Sequence, residues 1–333
     1  GSDRQPARPL QRDGSLPGRR DPDDRGLLQG RGPHAREDAG DHQILILGGG
    51  TNVLISDTGF PGYVIKIENN KVIAEVDACS GATLTIGAGE NWDDFVKTTI
   101  DRGWAGLETL SGIPGTVGAA PIQNIGAYGV EVGDYIQRVE VYDAKEQVFV
   151  TLSKQECHFA YRDSYFKQHT HRFIVTKVIF NIPNQWQARI QYADLAKQFT
   201  GKVTPTAKEI FSAVCAIRTH KLPDPKVIGN AGSFFQNPIV PSEQYETLIL
   251  KHPGLVSYPD AGNKHKLAAG WLIDQCGLKG QRMGNVGVYE NQALVLVNHG
   301  GGTAEDILGL AKCIQDAVHS KFGVNLEIEP NIF

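Results

Sequence analysis

The chain has 333 residues, a formal net charge of −4 and five cysteines. That length allows two or three domains with real cores, and the mild acidity without a basic stripe excludes nucleic acid or an acidic membrane surface as the expected partner. The cysteines (Cys79, Cys157, Cys215, Cys276, Cys313) are odd in number, scattered and without a CxxC pair. No structural metal is therefore expected, and a reducing, cytoplasmic setting is. No apolar run is long enough to span a bilayer, and no signal-peptide pattern is present.

Residues 1–42 are rich in Arg, Asp, Gly and Pro, with few aliphatic side chains and no helical or strand period. Such a stretch cannot bury enough apolar surface to offset its ordering entropy. It is read as a segment foreign to the fold, disordered or artefactual, with Gly1-Ser2 resembling a cloning scar. No strand from it is expected beside Ile44–Leu47.

The apolar run Ile44-Leu45-Ile46-Leu47 predicts a buried strand that enters Gly48-Gly49-Gly50-Thr51-Asn52. A strand feeding a glycine turn suits a pyrophosphate. It is not the dinucleotide fingerprint, since Val53 stands where a third glycine belongs and no amphipathic helix follows. A Walker loop is excluded too, because the Gly-Lys-Ser/Thr ending is missing.

Further along, Val64–Ile67, Leu84–Ile86, Val139–Tyr142 and Phe173–Phe180 read as strands. Asn91 is placed to cap a helix whose Trp92, Phe95, Val96, Thr99 and Ile100 share a face, ending at Gly103. The segment from Leu110 to Gly129 is dense in Gly and Ala, with Gly112, Gly115, Gly118, Gly126 and Gly129 letting backbone approach a flat or charged ligand closely. A plain connector would not need twenty such residues, although a glycine-rich packing linker is the bland alternative.

Tyr161-Arg162-Asp163-Ser164 falls between strands, where Arg162 could hold a carboxylate or phosphate bidentately or form a surface salt bridge. A change of domain is expected near 184–204, from strand-rich to helix-rich. Thr206 with Glu209 forms a capping box for a helix carrying Ile210, Phe211, Val214 and Ile217. In Asn230–Pro238, Ser233 stands between Gly232 and the rings of Phe234 and Phe235, which suggests a turn roofed by aromatics and shielded from water. A serine bonding its own backbone is the alternative, and the G-x-S-x-G elbow of a hydrolase is absent. Thr303 opens a last helix with Ile307, Leu310, Ala311, Ile314 and Val318 on one side and Gly323 after it. Leu326-Glu327-Ile328-Glu329-Pro330 alternates, putting both carboxylates on one strand face, where they could also be solvated edge glutamates.

In order along the chain, Gly48–Asp57, Gly112–Gly129, Tyr161–Ser164, Asn230–Phe235 and Leu267–Asp274 resemble the UDP-N-acetylenolpyruvoylglucosamine reductases (UDP-N-acetylmuramate dehydrogenases) from about Leu45 to Phe333. Tyr192 and the intact Tyr161–Ser164 segment are similar to the longer type of that family. The resemblance implies an α+β architecture. Residues 43–200 would be an FAD-binding domain of the vanillyl-alcohol-oxidase type in two α+β subdomains, and residues 201–333 a C-terminal α+β substrate domain. It implies FAD held at Gly48, Gly49, Gly50, Thr51, Asn52, Ser111, Ile113, Pro114, Gly115, Thr116, Gly118, Ala119 and Gly126. The FAD would be non-covalent, since no His or Cys lies in Gly112–Gly129.

NADPH is the implied reductant, and the implied reaction converts UDP-N-acetylglucosamine enolpyruvate to UDP-N-acetylmuramate for peptidoglycan. By motif position Ser233 is the proton donor, Arg162 holds the carboxylate and Glu329 completes the polarising group, with register favouring Glu329 over Glu327. Tyr161, Tyr192, Lys221, Asn237 and Gln292 are the implied UDP-sugar contacts, Lys221 meeting the pyrophosphate. A monomer is expected. The rival reading is an FAD-binding homologue that has lost the chemistry and serves a regulatory or binding role.

Overall fold

The computed structural model describes residues 43–77, 81–201 and 204–333. The expectations for residues 1–42 and for Cys79 lie outside the described residues. Strand β1 (Gln43–Leu47) pairs in parallel with β3 (Gly62–Lys66). Between them, the glycine turn leads into the short β2 (Val53–Leu54). β1 is not the buried strand its four apolar residues suggest: Leu45 is 3% exposed but Ile44 is 46% exposed. A two-stranded ribbon has one covered face, and an unbroken apolar run cannot tell that from two.

The first core forms on an antiparallel sheet in the order β4-β5-β10-β8-β9. Its strands are β4 (Val72–Asp77), β5 (Gly81–Gly87), β8 (Ile136–Asp143), β9 (Val148–Ser153) and β10 (Phe173–Ile182). Inward residues of β5, β8 and β10, among them Leu84, Ile86, Val139, Val178 and Phe180, pack with helix α1 (Trp92–Asp101). The α1 residues buried are those the sequence places on one face, and the Asn91 side chain accepts from the Asp94 N–H at 3.0 Å. Trp92 ties the helix to the start of the longer glycine loop by donating its Nε1–H to the Leu110 carbonyl at 2.9 Å. The hairpin β6 (Gly126–Ala127) and β7 (Val130–Glu131), a short helix α2 (Tyr165–Gln168) and helix α3 (Ala193–Gln198) complete this half.

Helix α4 (Ala207–Lys221) carries the expected capping box at Thr206 and Glu209. It lies beyond the expected division at 200, yet it packs on elements of the first half, against α1, α3 and the 3-10 turn at Glu108–Leu110. With Leu195, its Ile210 and Val214 form a small core of their own.

The C-terminal core is built on two antiparallel sheets. One has the order β11-β17-β16-β15, from β11 (Gly229–Ser233), β15 (Arg282–Met283), β16 (Val286–Val288) and β17 (Val295–Asn298). The other has the order β12-β14-β13, from β12 (Ile239–Pro241), β13 (Ser257–Asp260) and β14 (Lys264–Leu267). Helices α5 (Ser242–Lys251), α6 (Ala269–Gln275) and α7 (Ala304–Phe322) cover them. α7 starts on a Thr303/Asp306 capping box and ends on Gly323 at φ +65°, where a left-handed residue closes the last turn. The chain then returns to the first half: β18 (Asn331–Ile332) pairs in parallel with β2, and the Phe333 carbonyl accepts from the Ser56 N–H. No helix of the described residues is long and apolar enough to cross a membrane.

Candidate active site

Two glycine loops meet backbone to backbone. A Cβ on Gly48 would stand 2.7 Å from Thr116 Oγ1, and one on Gly49 would stand 3.1 Å from the Gly115 Cα. Thr51 Oγ1 donates to the Pro114 carbonyl at 3.3 Å. The longer loop is laid along the start of α1. The Trp92 N–H donates to Gly115, Val117 donates to Glu90, and Gly118 donates to Ala88. Its beginning is clamped at Gly112, whose N–H donates to Asp93 Oδ1 at 2.5 Å and whose carbonyl accepts from Arg218 Nε at 3.0 Å. Burial holds the Arg218 guanidinium below its ordinary pKa. The approach needs a residue without a side chain at Gly49, and the positive φ angles of Gly50 (+68°) and Gly115 (+125°) suit glycine.

The chemistry of this donor set fits a dinucleotide's phosphates and ring. Main-chain amides and small residues are brought together in two opposed loops, with a buried Thr109 Oγ1 left without a hydrogen-bond partner just before the longer one. The Ser111 hydroxyl, at the start of the longer loop, donates to the Glu108 carbonyl at 2.9 Å.

Arg162 and Glu329 meet where the two halves join. Arg162 Nε stands 3.4 Å from Glu329 Oε1, with side chains only 17% and 12% exposed. Nε is buried without a hydrogen-bond partner, so this is an ion pair with a guanidinium N–H still uncommitted. Arg162 sits at φ +54°, a strained backbone for a non-glycine residue, and its Nη2 donates to the Gly126 carbonyl at 2.8 Å. Burial pushes the Glu329 carboxyl above its usual range, opposed by the charges of Arg162 and Lys167. Glu327, on the same alternating stretch, is exposed.

Glu329 is seated by β-pairing. Phe235 bridges Ile328, the Glu329 N–H donates to the Phe234 carbonyl and the Gln236 N–H donates to Glu327. That register sets Phe234 opposite Glu329 and Ser233 immediately beside it. Ser233 ends β11 and does not lie in a roofed turn. Phe234 and Phe235 are 2% and 1% exposed within the C-terminal core, where they anchor its strand.

The other expected side chains gather in pairs. The Tyr161 hydroxyl accepts from the Asn237 N–H at 3.3 Å, and Asn237 Oδ1 accepts from the Ala269 N–H at 2.9 Å. Gln292 Oε1 lies against the same helix start, 3.1 Å from where a Gly270 Cβ would be. Tyr192 stacks on Tyr258 with centroids 4.9 Å apart. Lys221 is ion-paired with Asp194, two residues past Tyr192. Burial raises the Tyr161 and Tyr192 hydroxyl pKa values.

Sequence reasoning missed Lys266, whose Nζ stands 3.8 Å over the Tyr161 ring, and Tyr258, its cross-strand neighbour. The turn residues Asp260 to Asn263 between two alternating stretches were a signal for their hairpin. Among the described residues no cluster of His, Cys, Asp and Glu could hold a metal ion.

Two opposed glycine loops on an antiparallel α+β core, with an acid and a base joined across to a second core, define an FAD-binding protein with an appended C-terminal domain. An FAD binding domain family matches residues 35–151, and the C-terminal domain family of UDP-N-acetylenolpyruvoylglucosamine reductase matches residues 224–333. A UDP-N-acetylenolpyruvoylglucosamine reductase of Polynucleobacter asymbioticus is 68% identical over 289 residues, covering 86% of this chain and 83% of that protein. One of Ralstonia nicotianae is 49% identical over 293 residues, covering 86% and 85%. A solved UDP-N-acetylenolpyruvylglucosamine reductase of Thermus caldophilus shares the fold, with a TM-score of 0.59 at 24% identity, over 90% of this chain and 89% of that one. The chain belongs to the UDP-N-acetylenolpyruvoylglucosamine reductase family.

Proposed function

We propose that this chain carries out the NADPH-driven, FAD-dependent reduction of UDP-N-acetylglucosamine enolpyruvate to UDP-N-acetylmuramate for peptidoglycan, with Arg162, Ser233 and Glu329 at the reacting centre. The observation that carries the assignment is the buried Arg162–Glu329 pair with an uncommitted guanidinium N–H, seated one strand position from Ser233. FAD, when bound, supplies the hydride for the enolpyruvyl double bond and regains it from NADPH.

Addition at the methylene carbon moves an electron pair onto the neighbouring carbon and its carboxylate. Arg162 meets that charge with a fixed cation, preorganised by its bond to Gly126. Glu329, its carboxyl pKa raised by burial and opposed by Arg162 and Lys167, completes the polarising group beside it. Ser233 delivers its proton to the carbon, completing the saturated lactyl ether, and solvent reprotonates its oxygen.

Gly48 to Asn52, Ser111, Ile113 to Thr116, Gly118, Ala119 and Gly126 are assigned to FAD. Tyr161, Tyr192, Lys221, Asn237 and Gln292 are assigned to the UDP-sugar, with Lys266 beside them as a further cation. Residues 43–200 and 201–333 are taken as the FAD-binding and substrate domains. The protein is taken to act as a cytoplasmic monomer, a location supported by free thiols at Cys157, Cys215, Cys276 and Cys313. The test is a visible spectrum of the purified protein. A flavin band that bleaches with NADPH and returns on adding the enolpyruvyl substrate is expected. Bleaching without substrate-driven return would contradict the reading.

A further inference from the structure

Gln123 lies in the longer glycine loop and closes a ring of hydrogen bonds around Glu329. Asn52 Nδ2 donates to Gln123 Oε1 at 2.7 Å and to the main-chain carbonyl of Glu329 at 3.5 Å. Gln123 Nε2 donates to Glu329 Oε1 at 3.4 Å. The polarity of the ring is fixed. A carbonyl can only accept, so Asn52 must present its NH₂, Gln123 must then present its oxygen to Asn52, and its NH₂ is left for the carboxyl.

The backbone on either side of Gln123 is tied to the segment that carries Arg162. Ser164 Oγ donates to the Ile122 carbonyl at 2.5 Å, and Asn124 Nδ2 donates to the Ala160 carbonyl at 2.9 Å. These bonds tie the Gln123 and Arg162 segments together, and both side chains approach the same oxygen, Oε1 of Glu329. Among the described residues no hydrogen bond falls on Oε2.

We propose that Gln123 is a positioning residue that, by donating to Oε1 from an amide oriented by Asn52, fixes the Glu329 carboxyl with Oε2 left to the substrate carboxylate. Neither the guanidinium nor the Gln123 NH₂ can accept, so a proton on Oε1 would face only donors. The device aims a buried carboxyl in one direction. It rests on the assignment of Glu329 to the reacting centre. The titratable and charged groups acting on Glu329 are Arg162, Lys167 and Tyr161.

The test uses the flavin-loaded protein and Gln123→Met, which keeps length and removes both hydrogen bonds. Flavin content and flavin reduction by NADPH are expected to stay at wild-type values. The rate of reoxidation by the enolpyruvyl substrate is expected to fall about tenfold to a hundredfold, as for a misplaced catalytic group. Its alkaline limb should move to higher pH, because a donor to the ionised carboxylate is lost. Equal slowing of both half-reactions, or an unmoved pH limb, would overturn the proposal. Glu329→Gln, measured alongside, separates the two layers. Near-wild-type reoxidation in Glu329→Gln overturns the assignment of Glu329 itself. Slow reoxidation there, with wild-type behaviour in Gln123→Met, overturns only the role of Gln123.

Discussion

Arg162 and Glu329 form an ion pair at 3.4 Å that neither half of the molecule could make alone. Arg162 is presented by a strained loop of the first core, and Glu329 by a stretch paired to Phe234–Gln236 of the second. The carboxyl is therefore in place only when the C-terminal segment is docked. β18, two residues on, carries the chain against β2 beside the glycine turn.

Replacing Arg162 with Lys keeps the charge and loses the planar fork. Reduction by NADPH is expected to persist while reoxidation by the enolpyruvyl substrate falls about 10²–10³-fold, the range for losing one preorganised donor to a developing oxyanion. Stopped-flow measurement of the two half-reactions checks this. Wild-type reoxidation in the variant would remove Arg162 from the reacting centre.

Burial holds the Glu329 carboxyl above its usual pKa, so the folded protein binds this proton more tightly than the unfolded chain. Its contribution to stability is complete below the unfolded pKa and is lost as pH rises through the folded one. Glu329→Gln does not suffer that loss. The melting temperature of the variant minus that of the wild type should become more positive between about pH 4 and pH 8. A difference that stays flat or falls contradicts the burial argument.

Gly115 has φ +125°, and a Cβ there would stand 3.2 Å from Thr51 Oγ1. Gly115→Val would bring a branched side chain into a strained backbone position between the two loops. Flavin absorbance is expected to be lost, while the C-terminal core keeps its cooperative unfolding. Normal flavin content in this variant would take the cofactor away from these loops.

Thr303 and Asp306 cap α7 reciprocally, at 2.9 Å and 3.1 Å, and hydrogen bonds from the Thr303 main-chain N–H and hydroxyl hold the Asp306 carboxyl below its ordinary pKa. Thr303→Ala should cost about 1 kcal/mol in urea unfolding, with the flavin spectrum unchanged. An altered flavin spectrum would show that α7 does more than support the C-terminal core.

Burial pushes the Cys157 thiol up to about 12, whereas Cys313 is exposed on α7. Iodoacetamide at about pH 8 should label Cys313 in the native protein and Cys157 only after unfolding, because the thiolate is the nucleophile. Peptide mapping distinguishes them, and native labelling of Cys157 would contradict its burial.

Local chemistry was legible in the sequence wherever it is decided locally. The caps at Asn91, Thr206 and Thr303 stand where their side chains and the apolar periods place them. What depends on pairing was not. Alternation puts Glu327 and Glu329 on one face, and only the bridge between Phe235 and Ile328 brings one of them to Arg162. Lys266 and Tyr258 face Tyr161 and Tyr192 through a hairpin register that no motif encodes. Lys221 reads as a free cation in sequence but is held by Asp194, a partner set by the packing of α3 on α4.

The most direct test of the account is Ser233→Ala, followed through both half-reactions. Flavin reduction by NADPH should remain near the wild-type rate, since no proton from Ser233 enters that step. Reoxidation by the enolpyruvyl substrate should slow by about 10²–10⁴-fold, the contribution expected of a general acid. Equal slowing of the two half-reactions would show that Ser233 only supports the pocket, and would contradict its place as the proton donor.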